Sequence, residues 1–293
     1  MKAIFVGCVL FSKHLLETIL NNSNIELVGL ITKEKSTFNN DHFDLSKVIT
    51  SKNIPYKYVK DINDIEVKNW ITNLNPKLIF CFGWPSLLKK NILNIPKYGV
   101  IGYHPSKLPQ NRGRHPIIWA LVLGLTETGS TFFLMDQGAD SGAIIHQVNV
   151  KINLKDDASS LYNRLIEISK NQLTEIIENL SDLKLIKQTK SNSGNFWRKR
   201  GKKDGLIDWR MNALNIYNLV RGLTRPYVGA HFEYDGNEIR VWKCKIIKNP
   251  NLNIEPGKIL KVNKKGDIIV KVGIDSIQLL DFDPFQIKTS YLI

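Results

Sequence analysis

Two short stretches of the chain combine residue types that could carry out proton transfer. GYHPSKLPQNRGRHP, residues 102–116 (the His loop), is rich in proline, glycine and histidine, which predicts a loop rather than a helix interior or a central strand. MDQGADSGAII, residues 135–145, places Asp136 and Asp140 beside glycines. An imidazole can exchange a proton near neutral pH, and a carboxylate can orient it and stabilise its charge. We hypothesise that His104 and Asp140 form such a pair.

Both residues also have a structural interpretation. A histidine in a loop can simply hydrogen-bond to its neighbours, and aspartate beside glycine is common in turns. The sequence separation of 36 positions between residues 104 and 140 does not by itself show that the two side chains meet.

The apolar runs of the first third predict the framework that would hold these loops. They indicate buried strands, and helical periodicity lies between the first three. The predicted strands are KAIFVG (2–7), IELVGLIT (25–32), KLIFCFG (77–83) and YGVIGYH (98–104), and the predicted helices are SKHLLETILNN, LSKVITSKN and INDIEVKNWITNL. This pattern is typical of an α/β fold with a mostly parallel sheet, in which ligands bind at the carboxyl ends of the strands. His104 lies at such an end.

The rest of the chain predicts a second domain. HPIIWALVLG and residues 156–180 have helical periodicity, and STFFLMD and AIIHQVNVKI between them are strand-like. We predict a Rossmann-like catalytic domain over 1–190, a basic linker over 191–206 and a C-terminal domain over 207–293. This last domain begins with the amphipathic helix MNALNIYNLVRGLT and continues with short strands broken by turns, which is typical of a small antiparallel OB-like β-barrel.

Composition excludes several classes of protein. With 43% hydrophobic and 23% charged residues, the chain is neither disordered nor fibrous. It has no run of eighteen apolar residues and begins with a predicted strand, so we expect a cytoplasmic protein without a membrane segment. Three widely spaced cysteines indicate neither a metal site nor a disulfide framework. The net charge of +14 favours an anionic partner, although a solvated lysine-rich surface explains it equally well.

Two motifs resemble the signature of the folate-dependent formyltransferases. HPSKLPQNRGRHPIIWA and TGSTFFLMDQGADSGAII are similar to the family pattern Asn-x-His-x-Ser-Leu-Leu-Pro, Arg-Gly, Pro, Trp-Ala, Thr-Gly and Asp-x-Gly-x-Asp-x-Gly. The resemblance extends to KAIFVGCVLF and to GLIDWRMNALNIYNLVRGLTRPYVGAHF, and so covers most of the chain. It implies a Rossmann-like domain joined to a barrel-like domain. It also implies formyl transfer from the co-substrate N10-formyltetrahydrofolate to a primary amine.

The resemblance assigns roles to individual residues. His104 matches the catalytic histidine of the family and Asp140 its catalytic aspartate. Gly102 departs from the pattern, because the family has an asparagine there and glycine has no amide to donate to the reacting carbonyl. We expect a backbone N–H or a water molecule in the space beside Gly102 to supply this hydrogen bond, with Asn111 as a less favoured substitute.

The resemblance also implies where the pterin ring of the folate lies. The expected contacts are Phe82, Gly83, Trp84, Leu88, Gln137, Gly138 and Asp140. A flat heterocycle fits an apolar slot with hydrogen bonds at its edge. The alternative is that Phe82, Trp84 and Leu88 are core residues.

Two acceptors compete for the formyl group. The tRNA-acting members of the family carry a basic, glycine-rich insertion after the second strand, whereas the corresponding TKEKSTFNNDHFDLSKV, residues 32–48, contains Asp41 and Asp44 and no such run. The segments around KKDGLIDW and RGLTRPYVGA resemble members that act on UDP-linked 4-amino sugars of the aminoarabinose and pseudaminic acid pathways. We predict a nucleotide-sugar N-formyltransferase of surface-glycan synthesis. The alternatives are a methionyl-tRNA formyltransferase and a non-catalytic binding protein of the same fold.

Under this prediction, arginines and lysines hold the diphosphate of the nucleotide, because a forked guanidinium suits phosphate. The predicted substrate-binding residues are Gly102, Tyr103, Arg112, Arg114, Arg198, Arg200 and Lys202. The alternative for the last three, in the run RKRGKK, is a solvated linker. An unpaired edge of the C-terminal sheet could join two copies in a homodimer.

Overall fold

The structure is a computed structural model that describes residues 1–36, 40–188 and 194–292. The chain forms two compact units. The first comprises residues 1–116, 128–150 and 163–197, and the second comprises residues 117–127, 151–162 and 198 onward. The predicted domain boundary between residues 190 and 191 lies outside the described residues.

The first unit contains a seven-stranded sheet and a separate two-stranded sheet. The elements from the start of the chain to residue 197 are β1 Lys2–Val6, α1 Leu10–Leu20, β2 Glu26–Thr32, β3 Tyr56–Tyr58, α2 Ile65–Asn73, β4 Leu78–Cys81, α3 Lys90–Leu93, β5 Val100–His104, β6 Arg112–Gly113, α4 Pro116–Val122, β7 Glu127–Leu134, β8 Ile144–Lys151, α5 Ala158–Glu178 and β9 Phe196–Trp197. The large sheet has the order β3-β2-β1-β4-β5-β7-β8, with parallel pairing from β3 to β5 and antiparallel pairing of β5 with β7. The predicted mostly parallel α/β sheet is confirmed.

The central strands form because their apolar runs are covered on both faces. All four residues of β4 are buried, as are the last four of β1, which is the pattern of parallel strands with layers on either side. The segment LSKVITSKN, predicted as a helix, forms only a 3₁₀ turn over Leu45–Val48. Asp44 caps this turn by accepting the N–H of Ser46. Strand β3 and helix α3 were not predicted, because three or four residues show too little periodicity.

The second unit contains a five-stranded antiparallel sheet packed against a helix. Its elements after residue 198 are a 3₁₀ turn at Lys202–Gly205, α6 Ala213–Leu223, β10 Ala230–Tyr234, β11 Asn237–Ile247, β12 Ile259–Val262, β13 Ile268–Lys271 and β14 Ser276–Phe282. The sheet order is β10-β11-β14-β13-β12. The predicted Asp-Gly turn joins β10 to β11, with Asp235 and Gly236 both at positive φ as a tight hairpin requires. The predicted antiparallel domain after the Rossmann-like sheet is confirmed.

The segment predicted as a basic linker is ordered wherever it is described. Phe196–Trp197 pairs in parallel with Arg112–Gly113 in the first unit. Lys202–Gly205 forms its 3₁₀ turn in the second unit. The described part of this segment thus makes contacts in both units, and its role as a linker stays a prediction.

Candidate functional site

The structure brings His104 and Asp140 together. His104 is the last residue of β5 and is only 5% exposed, and Asp140 lies half-buried in the loop between β7 and β8. Nδ1 of His104 is 3.5 Å from Oδ2 of Asp140. The pair lies at the carboxyl end of a parallel strand, which is the ordinary position of a ligand site in this class of sheet.

The surroundings of the pair determine which ring nitrogen carries the proton. Nε2 of His104 lies 2.8 Å from the backbone carbonyl oxygen of Asn111. Both ring nitrogens face oxygen atoms that accept, and the Asn111 carbonyl is the nearer of the two, so we place the proton of the neutral ring on Nε2 and the lone pair on Nδ1. Oδ2 of Asp140 also accepts the N–H of Gly113 at 2.9 Å. A proton taken up at Nδ1 therefore meets a fixed carboxylate.

Asp136 stabilises the loop that presents Asp140. Its Oδ1 accepts the N–H of Gly138 at 2.9 Å and the hydroxyl of Ser141 at 2.6 Å. A Cβ on Gly142 would lie 1.6 Å from the carbonyl oxygen of Leu134, so only glycine fits there. Gln137 and Gly138, both predicted to contact the folate, are exposed at the tip of this loop.

The space beside Gly102 is filled by apolar side chains. A Cβ on Gly102 would lie 2.8 Å from Cγ of Met135 and 2.9 Å from Cζ of Phe133. Phe133 is the direct cross-strand partner of Gly102 on β7, so its ring extends over the glycine. Side-chain atoms of Met135 and Phe133 therefore occupy the space in which a water was expected, and the alternative expectation of a backbone N–H stays a prediction. The backbone carbonyl of Asn111 faces His104, and the role of its side-chain amide as a substitute donor stays a prediction.

Tyr103 does not lie with the catalytic pair. Successive side chains of a strand point to opposite faces, so Tyr103 lies on the face of β5 opposite His104. Its ring stacks on Phe11 at 4.3 Å between centroids and packs against Phe132 at 5.0 Å. Its hydroxyl lies 3.0 Å from that of Ser130, and burial raises the pKa of Tyr103 to about 12. The prediction that Tyr103 binds substrate is contradicted by this packing.

Two of the predicted folate contacts belong to the core. The Phe82 side chain is completely buried and packs edge-to-face against Phe5 at 5.6 Å and Phe132 at 5.5 Å. Leu88 is 2% exposed and lies in the apolar cluster that includes Ile79 and Ile92. The core alternative is therefore the correct one for these two side chains, because the apolar run of β4 continues into the interior.

The other two predicted contacts after β4 are accessible. Gly83 is exposed at φ 65°, and a Cβ there would lie 2.2 Å from Cγ2 of Val9. Trp84 is half-buried, and Nζ of Lys33 lies 4.8 Å from the centre of one of its rings. The indole N–H donates to the hydroxyl of Ser86 at 3.0 Å. These residues form an aromatic and glycine-lined edge at the carboxyl end of β4, the strand beside β5.

The side chains of both arginines of the His loop donate hydrogen bonds to neighbouring segments. Nη2 of Arg112 donates to Oε1 of Gln188 at 2.6 Å, and its guanidinium lies 5.6 Å from the ring centre of Phe196. Nη2 of Arg114 donates to the carbonyl of Pro85 at 2.9 Å. Arg114 thus joins the His loop to the loop that contains Trp84.

Two cations of the predicted phosphate cluster of the second unit have acidic partners. Nη1 of Arg198 donates to Oδ2 of Asp204 at 2.8 Å, and this guanidinium holds the pKa of Asp204 below its usual range. Lys202 pairs with Glu238 at 2.6 Å. Arg200 is 8% exposed, donates to the backbone carbonyl of Asp204, and lies 4.5 Å from a ring centre of Trp119. The three cations make these contacts within the second unit, and their binding of a phosphate stays a prediction.

Two residues near the site were missed by sequence reasoning. Nε2 of Gln188 donates to the carbonyls of Asp140 at 3.0 Å and Gly142 at 2.7 Å. Oδ1 of Asn195 accepts the N–H of Asn111 at 2.8 Å. Both residues lie in or beside the segment predicted as a linker, where a lone amide has no distinctive sequence pattern.

The described ranges 1–36, 40–188 and 194–292 contain neither a group of metal-ligating side chains nor a helix that could cross a membrane. Within them, no three or more His, Cys, Asp and Glu side chains are grouped as metal ligands. Of the helices there, none combines the length and apolar character needed to cross a membrane.

Comparison with known proteins identifies the family. Residues 1–177 match the family described as formyl transferase, and residues 199–288 match its C-terminal domain. The chain belongs to the formyl transferase family. The predicted family and the predicted enzyme class, a formyltransferase, are confirmed.

Individual relatives and solved structures have different names and bound molecules. Methionyl-tRNA formyltransferase of Alkaliphilus oremlandii is 33% identical over 289 residues, covering 96% of this chain and 92% of that protein. The bifunctional polymyxin resistance protein ArnA of Wigglesworthia glossinidia brevipalpis is 36% identical over 228 residues, which are 78% of this chain and 34% of that protein. The crystal structure of an N-formyltransferase from Helicobacter canadensis, in complex with folinic acid and dTDP-3-aminofucose, has the same fold, with a TM-score of 0.68, 16% identity and coverage of 95% and 98% of the two chains.

Proposed function

We propose that this protein transfers the formyl group of N10-formyltetrahydrofolate to the primary amine of a nucleotide-linked amino sugar, with UDP-linked 4-amino sugars as the first candidates. The observation that supports this most directly is the contact between His104 and Asp140 at the end of β5. A fixed carboxylate beside an imidazole is the arrangement that a proton transfer to or from an amine requires.

The carboxyl end of β4 is a suitable place for the folate. Formyltetrahydrofolate supplies the formyl group and a flat pterin. Gly83, which has no side chain to obstruct a ligand, and Trp84, which offers part of an aromatic surface, are the two accessible residues predicted to receive that pterin. Lys33 already lies over Trp84, so a ligand stacking on the same ring face would replace this ammonium group. Phe82 and Leu88 would support the slot from the core.

The reaction forms a bond between the sugar nitrogen and the formyl carbon and breaks the bond between that carbon and N10 of the folate. The amine loses a proton as the new amide forms. His104 accepts this proton at Nδ1, where Asp140 stabilises the resulting charge. His104 then returns the proton to the departing folate nitrogen, so no net proton is gained or lost.

The negative charge that develops on the formyl oxygen also needs a donor. Position 102 is a glycine and has no side-chain amide for this purpose, and Met135 and Phe133 fill the space beside it. The backbone N–H expected from the sequence stays the predicted donor to this oxygen. The ring nitrogens of His104 are not available for it, because Nε2 faces the Asn111 carbonyl and Nδ1 faces Asp140.

Two observations support a nucleotide sugar as the acceptor. The Helicobacter canadensis enzyme, with the same fold, was crystallised with dTDP-3-aminofucose. The segment after β2, which corresponds to the tRNA-directed insertion, is held against the start of α1. The N–H of Leu10 donates to the carbonyl of Asp41 at 2.8 Å, and Nδ1 of His42 lies 2.9 Å from the carbonyl of Cys8. Residues 37–39 of this segment lie outside the described residues.

The second candidate is formylation of methionyl-tRNA. It is favoured by the methionyl-tRNA formyltransferase of Alkaliphilus oremlandii, which aligns with 96% of this chain, and by the net charge of +14, since phosphate contacts need a basic surface. The non-catalytic alternative remains a third outcome of the assay. The cytoplasmic location and the homodimer stay predictions.

The deciding experiment offers the purified protein formyltetrahydrofolate with each acceptor separately. Release of tetrahydrofolate is followed by absorbance, and the acceptor is identified by a mass increase of one formyl group. We expect turnover with UDP- or dTDP-linked amino sugars. Turnover with initiator methionyl-tRNA alone would establish the second candidate, and no release with any amine would leave the non-catalytic alternative.

A further inference from the structure

The catalytic pair lies on two loops that two amide side chains hold in place. We propose that Asn195 and Gln188 are positioning residues, which set the proton-bearing nitrogen of His104 and the orientation of Asp140. This inference deepens the proposed function. Its kinetic test depends on the proposed function, but its spectroscopic test does not.

Asn195 fixes the peptide group that binds His104. The peptide between Asn111 and Arg112 presents its carbonyl to Nε2 of His104 at 2.8 Å and its N–H to the backbone carbonyl of Asn195 at 3.1 Å. The Asn195 side chain accepts the preceding N–H, that of Asn111, at 2.8 Å. Asn111 has φ 61°, a conformation that L-residues rarely adopt without support. Asn195 therefore holds both sides of a residue that would otherwise relax.

This contact has a chemical consequence for His104. As long as the Asn111 carbonyl faces Nε2, the neutral ring keeps its proton on Nε2 and its lone pair on Nδ1, toward Asp140. If the peptide turns away, Nε2 loses its acceptor and the proton is free to move to Nδ1, where the Asp140 carboxylate accepts it. That tautomer has no lone pair at Nδ1 for the amine proton.

Gln188 holds the other member of the pair. Its Nε2 donates to the carbonyls of Asp140 at 3.0 Å and Gly142 at 2.7 Å, while its Oε1 accepts from Arg112 at 2.6 Å. Asp140 has φ 53°, so its backbone also needs external support. Gln188 thus connects the Asp140 loop to the His loop through one amide group.

The two amides use opposite ends of the same functional group. Asn195 contributes its oxygen as an acceptor, whereas Gln188 contributes its NH₂ group as a double donor. Replacement of an amide by a carboxylate keeps the acceptor and removes the donor. Asn195→Asp should therefore preserve its contact, whereas Gln188→Glu should lose both donor contacts and place a carboxylate against two carbonyl oxygens. Gln188→Glu still keeps an acceptor for Arg112.

The experiment compares Asn195→Asp, Asn195→Ala and Gln188→Glu with the whole wild-type protein, and uses Asn179→Ala as a control. Asn179 is an exposed amide that donates to the Glu175 carbonyl near the end of α5. The kinetic readout is kcat and KM for formyl transfer. The spectroscopic readout is the ¹⁵N chemical shifts of the His104 ring, assigned by their loss in His104→Asn, which report the tautomer without any turnover.

We expect Asn195→Asp and Asn179→Ala to stay within about threefold of wild-type kcat. We expect Asn195→Ala and Gln188→Glu to lose about 10- to 100-fold in kcat with little change in KM, the scale of a misplaced catalytic group. The ring shifts should show the proton on Nε2 in the wild type and in Asn195→Asp, and a mixture of tautomers in Asn195→Ala.

Equal kcat and equal ring shifts for Asn195→Ala and the wild type would overturn the role of Asn195, and full activity of Gln188→Glu would overturn that of Gln188. If the wild type itself transfers no formyl group, the proposed function fails. The tautomer comparison then still decides whether Asn195 positions His104. Thermal unfolding of every variant separates loss of positioning from loss of folding.

Discussion

The His loop and the basic run of residues 198–203 both look functional in the sequence, yet the structure gives them opposite characters. In the first unit, an imidazole and a carboxylate from distant segments converge with the imidazole almost completely buried. In the second unit, Arg198 and Lys202 have acidic partners nearby. The comparison shows that a cluster of like charges in a sequence does not indicate a site, because folding can supply its counter-charges. A titratable residue at the end of a buried parallel strand is the better indicator.

The largest expected effect is that of His104→Asn. Asparagine can still donate to the Asn111 carbonyl, but it cannot accept a proton from the amine, so we expect kcat to fall by about 10²- to 10⁴-fold. Steady-state release of tetrahydrofolate measures this, with circular dichroism as a check on folding. The matched control is His14→Asn on α1, where a half-buried histidine pairs with Glu17 and should be replaceable without kinetic effect. An ordinary rate in His104→Asn would remove the basis of the proposed mechanism.

The second prediction concerns the stability of Gly102→Asn, which tests whether the space beside Gly102 is filled. Gly102→Asn would force its side chain against Met135 and Phe133, and overpacking of this kind costs about 1–3 kcal/mol of unfolding free energy. Urea unfolding should show this loss, and the double variant Gly102→Asn/Met135→Ala should recover part of it. Met135→Ala alone is the control. Wild-type stability of Gly102→Asn would mean that the space is open after all.

Several features of the fold and of the candidate site could be predicted from the sequence. The central strands and the position of His104 follow from apolar runs and from the rule that sites lie at the carboxyl ends of parallel strands. The sequence could also have placed Tyr103 on the face of β5 opposite His104, because side chains alternate along a strand. On that face Tyr103 packs against Phe11.

Other features could not be predicted from one sequence. The filling of the space beside Gly102 depends on the register between β5 and β7, which places Phe133 opposite the glycine. The contacts of Gln188 and Asn195 depend on where an irregular segment returns to the sheet, and no periodicity encodes that. The pairing of Lys202 with Glu238 likewise requires the fold of the second unit.

A smaller effect is expected when the charges of the basic run are removed. Lys202→Ala and Arg198→Ala should change KM for the nucleotide sugar by less than about threefold, because exposed pairs of this kind contribute little and their charges already have partners. Lys265→Ala, in the turn before β13, is the control for a simple loss of one surface charge. A tenfold rise in KM in the basic-run variants, and not in the control, would restore the cluster as a phosphate site.

The smallest effect concerns the pH dependence of stability in the second unit. Hydrogen bonds from Arg210 lower the pKa of Asp208 to about 2, below its value of about 3.9 in an unfolded chain. A carboxyl group with a lowered folded-state pKa adds stability above its unfolded pKa, and this contribution is lost as the pH falls toward the folded value. The wild-type protein should therefore lose more stability between pH 5 and about pH 2 than Asp208→Asn, in which this group no longer titrates. Because Asp208 is 42% exposed, the difference should be small and should decrease further in high salt. Urea unfolding across this pH range measures it, and parallel curves for the two proteins would show that the Arg210 contact adds nothing to stability.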